Sequence, residues 1–157
     1  MKKYILTMII GIMATIGLLA QPASPKYSID KFTKGIDGNL SSYKKTETAL
    51  DELNTKCVYR KDGQIVMISL VGSTKDEKDV KKEVYYYYML GSVAYIHQKW
   101  TNMKSKAVTD NETLYIHQNH LIEWTKDGQV KDPKSDEFKQ VEDQILNVSK
   151  LFLEKSN

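Results

Sequence analysis

Cysteine is nearly absent from the chain, and this limits how the fold is stabilised. Cys57 is the only cysteine among 157 residues, so no disulfide can form within the chain. Stability must come from a hydrophobic core, which a chain of this length can build. Because Cys57 stands beside Val58 in an apolar stretch, we expect a buried structural thiol and not a reactive one.

Short catalytic motifs are also missing. The sequence contains no glycine-rich phosphate-binding loop, no HExxH and no CxxC. His117 and His120 are predicted to face each other near the end of a hairpin, but zinc takes three or four protein ligands. No third ligand stands nearby in the predicted register. We therefore expect no cofactor and no metal, and a non-enzymatic role is favoured over an enzymatic one.

The chain has little excess of charge, and most of that excess lies in an N-terminal segment with the pattern of a signal peptide. Lys2 and Lys3 precede the uncharged residues 4–20, a pattern typical of a signal peptide. We predict a signal peptide over residues 1–20, cleaved after Ala20, and a secreted or periplasmic protein with no stable membrane insertion afterwards. An uncleaved anchor is the alternative, although bilayer crossings need about 20 apolar residues.

The mature chain would be close to neutral. Without the two leader lysines it carries 21 basic side chains against 20 acidic ones. A nucleic-acid partner is therefore not expected, because no positive excess remains to neutralise phosphates.

The mature chain divides into an entry segment and one domain. Residues 21–39 hold two of the three prolines, which predicts a linker or loosely held segment, with Tyr27, Ile29 and Phe32 available for a short strand. Residues 40–157 are predicted to form a single α+β domain. Apolar spacing predicts an N-terminal helix over residues 42–54.

A period of 28 residues runs through the middle of the chain. Three similar segments, residues 59–66, 87–94 and 115–122, each begin with a tyrosine. Each has Gly or Asn at the position where a tight hairpin needs a positive φ angle. The pattern predicts an antiparallel meander sheet of three or more hairpins, with a fourth turn at Asp127-Gly128.

The C-terminal segment has the clearest helical pattern. Ser135 can cap it, and Asp136 and Glu137 suit the positive end of a helix dipole. An apolar stripe follows at three- and four-residue steps: Phe138, Val141, Ile145, Val148 and Phe152. We predict that this long helix and the N-terminal helix pack on one face of the sheet.

The predicted turns assign side chains to faces, because side chains alternate along a strand. Two-residue turns pair Tyr59 with Val66, Tyr87 with Ala94 and Tyr115 with Ile122, on the face given to the helices. The other face is predicted to be solvated. A candidate binding face there consists of four residues: Tyr86, Tyr88, Tyr95 and His97. Tyrosine also simply favours strands, and that plainer interpretation is favoured over a binding role.

The Tyr-x-x-Asp-Gly-x-apolar unit resembles the hairpin repeats of MORN-type bacterial repeat proteins. Residues 59–66 carry the resemblance best, whereas Leu90-Gly91 and Gln118-Asn119 depart from it. The resemblance implies a sheet of hairpins that contacts partners, and it transfers no catalytic residue.

Two functions remain open from the sequence. The first is an exported binding protein that grips a protein, peptide or envelope component with its sheet face or hairpin tips. The alternative is a small-ligand carrier or enzyme of helix-grip type, with a cavity between the sheet and the C-terminal helix. A carrier needs an internal pocket of roughly several hundred Å³, whereas a binding protein needs a filled core and an exposed patch.

Overall fold

The computed structural model describes residues 23–156, so the predicted signal peptide and its cleavage site lie outside the described residues. Within these described residues the domain is an eight-stranded antiparallel sheet whose spatial order follows the chain, with one α-helix before it and one after it. This confirms the predicted α+β meander. The strands are β1 Lys44–Ala49, β2 Thr55–Lys61, β3 Gln64–Gly72, β4 Val80–Met89, β5 Ser92–Asn102, β6 Val108–His117, β7 His120–Lys126 and β8 Gln129–Val130. The helices are α1 Pro25–Asp37 and α2 Asp136–Glu154, with a 3₁₀ turn at Leu40–Ser42.

Helix α1 replaces the predicted linker and its short strand. The Ser24 hydroxyl accepts a hydrogen bond from the Tyr27 amide at 3.2 Å, and Pro25 occupies the first turn. Proline is well suited there because the first amides of a helix lack acceptors. The helix buries Ile29 and Ile36 against the sheet. The predicted strand here is therefore wrong.

Strand β1 stands where the N-terminal helix was predicted. Lys44–Ala49 pairs with β2, and the chain then turns through residues 50–54. The helix over residues 42–54 is wrong because three apolar positions formed its only stripe, while the alternating Thr46 and Thr48 suit a strand. The N-terminal helix of the fold is α1.

The predicted turns are confirmed. Asp62-Gly63, Leu90-Gly91 and Asp127-Gly128 all have positive φ at both turn residues, as do Gln118 and Asn119. This is the type I′ geometry whose twist matches that of antiparallel strands. The first three hairpins therefore repeat in space as they do in sequence.

Each of the three hairpins that recur every 28 residues also contains a β-bulge, which the turns alone do not predict. Val66, Ala94 and Ile122 are each left without a cross-strand partner two residues into the returning strand. The pairing therefore moves by one residue, and Tyr59 lies opposite Met67 instead of Val66. In the same way Tyr87 pairs with Tyr95 and Tyr115 with Glu123, so the predicted pairs are wrong.

The bulges rearrange the faces of the sheet. Helix α2 covers a large cluster, and α1 covers a smaller one on the opposite side. The prediction that both helices pack on one face is therefore corrected. The buried sheet residues beneath α2 are Val58, Ile65, Ile68, Tyr86, Tyr88, Val93, Ile96, Leu114, Ile116, Leu121 and Trp124. Beneath α1 lie Met67 and Tyr87, with Tyr59, Tyr85 and Tyr95 packed around them.

Candidate functional site

The four residues of the predicted binding face do not share a face. Tyr86 and Tyr88 are buried under α2, with 8% and 2% of their surface exposed. Tyr95 and His97 lie on the α1 side, opposite Tyr87 and Tyr85 in the β4–β5 pairing. The predicted solvated aromatic face is therefore wrong, because the bulge at Ala94 changes which residues of β5 accompany those of β4.

Tyr88 is anchored as a core residue. Its hydroxyl donates to the Ser149 carbonyl of α2 at 3.0 Å. Burial raises the pKa of Tyr88 well above its ordinary value and raises that of Tyr86 to about 12. Both phenols thus stay neutral, and the Tyr86 ring packs on Phe152 with ring centroids 5.4 Å apart.

Tyr95 belongs to a row of three tyrosines beneath α1. Its ring centroid lies 5.5 Å from that of Tyr87 and 4.9 Å from that of Tyr115. The Tyr87 hydroxyl donates to Asp37 and the Tyr115 hydroxyl donates to Asp30, each at 2.8 Å. Since Asp30 and Asp37 stand seven residues apart on one side of α1, the row fixes the helix to the sheet.

His97 is half-buried beside Tyr85 on the α1 side of the sheet. Its ring stacks on Tyr85 with centroids 6.1 Å apart, and Nε2 lies 2.9 Å from Asn111 Oδ1. The Tyr85 hydroxyl donates to Glu83 at 3.0 Å. Burial, with that carboxylate, raises the pKa of Tyr85 to about 12. This patch is polar and internally hydrogen-bonded.

The two hairpin histidines do face each other, as predicted. His117 and His120 form the last pair before their turn. His120 Nδ1 lies 3.3 Å from Glu142, which also accepts the Leu121 amide. No group of three or more metal-ligating side chains occurs within residues 23–156. Cys57 is buried, as predicted, with its Sγ 3.7 Å from Glu47 Oε2.

A buried polar cluster on the α2 side was not predicted. Glu112 is only 7% exposed. It accepts from Lys126 at 2.6 Å and from the Gln98 amide. Asp110 lies 3.7 Å from Lys126, and burial raises the pKa of its carboxyl. The signal available in the sequence was the alternation of polar residues at the far end of β6, which resembles that of any solvated strand.

The hairpin tip between β4 and β5 is the most unusual exposed feature. Leu90 is 94% exposed and has a φ of +53°. Its equivalents in the other two hairpins of the repeat are Asp62 and Gln118, both polar. An L-residue with a side chain beyond Cβ pays roughly 1–2 kcal/mol for left-handed geometry. No packing contact inside the domain offsets that conformational cost, because the Leu90 side chain is in solvent.

Two open clefts flank this tip. One, of about 640 Å³, separates it from the Asp62-Gly63 tip and is lined by Phe32, Ile65, Val66, Met89 and Leu90 among others. The other, of about 410 Å³, lies between the tip and α2 and is lined by Val93, Leu146 and Leu153, with Asn119 and Lys150 at its polar side. Tyr88 contributes to both clefts. We call Leu90 together with these two clefts the tip surface.

Comparison with known proteins adds no family to this description. No protein-family model, curated protein or solved structure matches the chain. Neither helix in the described part is long and apolar enough to cross a membrane.

Proposed function

We propose that the chain is an exported, non-enzymatic binding protein that grips another protein through the tip surface. The observation that carries this proposal is Leu90, an apolar side chain with 94% exposure in a left-handed turn position. Asparagine, aspartate or glycine fits such a position at lower cost. Unfavourable local geometry retained at an exposed site supports a functional interpretation.

The energetic balance favours a partner that buries Leu90. Full burial of a leucine side chain contributes about 1.5–3 kcal/mol, which exceeds the cost of the turn conformation. The flanking clefts would accept side chains of the partner on either side of the inserted leucine. Their apolar linings surrounded by Lys61, Asp62, Lys150 and Glu154 correspond to the apolar centre and polar rim of protein interfaces.

Export is part of the proposal and is inferred from residues 1–20 alone. A charged start followed by an apolar run is the pattern of a secretory leader. A partner in the cell envelope or outside the cell follows from that inference.

The small-ligand carrier is the alternative, and the cleft of about 410 Å³ beside α2 favours it. Ligand pockets usually measure about 300–1,000 Å³ and enclose most of their ligand. The clefts at the tip are open to solvent, and the space between α2 and the tip half of the sheet is filled by Tyr88, Ile116 and Leu114. A protein partner fits such an open surface better than an enclosed small molecule does.

Site-specific photo-crosslinking tests the proposal. A benzophenone amino acid would replace Leu90 in the mature chain, and a matched variant would carry it at Asp127, in a type I′ turn at the opposite end of the sheet. Each would be irradiated with envelope extract of the source cells. We expect a discrete protein adduct from position 90 and none from position 127. Equal labelling from both positions, or none from either, would contradict the proposal that the tip surface binds a protein partner.

A further inference from the structure

Strand β1 is the first strand of the sheet and forms one of its edges in the part of the chain that the structure describes. All six of its residues are exposed, so neither α1 nor α2 covers it on either side. Among the described residues 23–156, its one partner in the sheet is β2. The backbone amides and carbonyls that point away from β2 are therefore available to another strand. At the opposite edge of the sheet β8 has only two residues.

Opposite charges alternate along this edge in a way that is self-complementary. Lys45 and Glu47 lie on the same face of β1 with Thr46 between them, because side chains alternate along a strand. Within one copy, Lys45 Nζ lies 2.7 Å from Glu47 Oε2. Both side chains are about half exposed, at 44% and 58%, so both can reach a neighbouring strand.

We propose that two copies of the chain pair antiparallel through β1, with a two-fold axis at Thr46. An axis perpendicular to the sheet keeps each side chain on its own face. Pairing Thr46 with its own counterpart then places Lys45 opposite Glu47 of the second copy, and Glu47 opposite Lys45 of the second copy. Opposite charges facing each other across antiparallel strands stabilise the pairing.

The same charges exclude the neighbouring symmetric registers. Moving the axis to Lys45 places two lysines directly opposite each other, and moving it to Glu47 places two glutamates opposite each other. Like charges in those positions destabilise a pair. Lysines on edge strands generally prevent indiscriminate sheet extension. Here they disfavour the registers centred on Lys45 and Glu47 and allow the one centred on Thr46, in which Lys45 of each copy lies opposite Glu47 of the other.

Reciprocal charge reversal tests this interface. The variants are Lys45→Glu, Glu47→Lys and the double variant with both changes. Lys81→Glu is the matched control, because Lys81 and Glu83 form the same spaced ion pair at 2.8 Å on β4, an interior strand. Sedimentation velocity over about 10 µM to 1 mM is suitable, because strand pairing buries a small area and such interfaces are weak.

The expected results are specific to the proposed register. The unmodified protein and the Lys81→Glu control should dimerise equally. Each single reversal at β1 should weaken self-association by roughly tenfold or more, and the double variant should restore it. A mixture of the Lys45→Glu and Glu47→Lys proteins should form heterodimers, because each then opposes the other's charges.

Three outcomes would overturn the proposal. The first is a protein that remains monomeric throughout the concentration range, which would leave the edge to a different partner. The second is self-association that the single reversals at β1 do not change. The third is a mixture of the two single variants that stays monomeric while each variant remains folded by circular dichroism.

Discussion

Replacing Tyr86 with alanine is expected to destabilise the domain strongly, in contrast to what a solvated aromatic face would show. The Tyr86 ring is 8% exposed and packs on Phe152 of α2. Truncating a buried aromatic residue to alanine costs about 3–5 kcal/mol, because apolar contact is lost and a cavity remains. We expect the lower part of that range, about 3–4 kcal/mol, since one edge of the ring borders an open cleft beside α2.

Urea unfolding followed by circular dichroism measures this effect. With a slope of about 1–3 kcal/mol per molar urea, the midpoint should fall by roughly 2 M. Leu90→Ala is the control, because its side chain is in solvent and its truncation should leave the midpoint almost unchanged. A loss below about 1 kcal/mol for Tyr86→Ala would refute the packing of α2 on this face, since buried aromatic residues do not cost so little.

Three further variants probe the turn, a close approach and the buried acid. Leu90→Asn should raise the free energy of unfolding by about 0.5–1 kcal/mol, because asparagine tolerates left-handed geometry better; calorimetry that shows a lower Tm would contradict this. Gly72→Ala should cost about 1–3 kcal/mol by urea unfolding, because its Cβ would lie 1.9 Å from Asn54 Oδ1 and 2.6 Å from the Leu53 carbonyl oxygen; an unchanged midpoint would contradict that contact. Burial raises the pKa of Asp110, so ionisation of this carboxyl opposes folding and its contribution to stability falls as pH rises through the folded-state pKa. Asp110→Asn should therefore be stabilising at neutral pH, with a gain that disappears in acid, and a gain independent of pH would contradict the assignment.

The hairpins could be predicted because their determinants are local. Positive φ at the second turn residue favours Gly or Asn, and Gly63, Gly91 and Asn119 occupy that position at a fixed interval. Helix α2 was predictable for a similar reason, since Ser135 caps it and accepts from the Phe138 amide at 3.1 Å.

The binding face could not be predicted because the bulges have no local signal. Val66, Ala94 and Ile122 share no turn-forming property, and each would fit a regular strand. One unpaired residue in each hairpin is enough to move a partner to the opposite face. The alternation along β4 alone was therefore insufficient to place Tyr95 and His97.

The two errors at the N-terminus have a different origin. The prolines of residues 21–39 predict a linker, yet Pro25 follows the capping Ser24 and begins α1. In residues 42–54 the sparse apolar pattern predicts a helix, whereas the alternating threonines of β1 suit the strand that forms. The choice between helix and strand depended on tertiary contacts with β2 in that segment.

One feature of the tip surface, the unusual residue at position 90, could be predicted from the sequence. Leu90 is the residue that departs most from the repeat, because its equivalents are polar. The exposure of Leu90 and the two clefts beside it could be identified only from the structure, since they depend on where α1 and α2 cross the sheet.

Capture of the partner by Leu90→Asn, relative to the unmodified mature chain, tests the central claim most directly. Immobilised proteins would be exposed to the same envelope extract, with Asp127→Asn as the control at the other end of the sheet. Loss of a discrete captured protein from Leu90→Asn alone, in a variant whose Tm has risen, is the predicted result. Undiminished capture by Leu90→Asn would contradict a binding role for this tip.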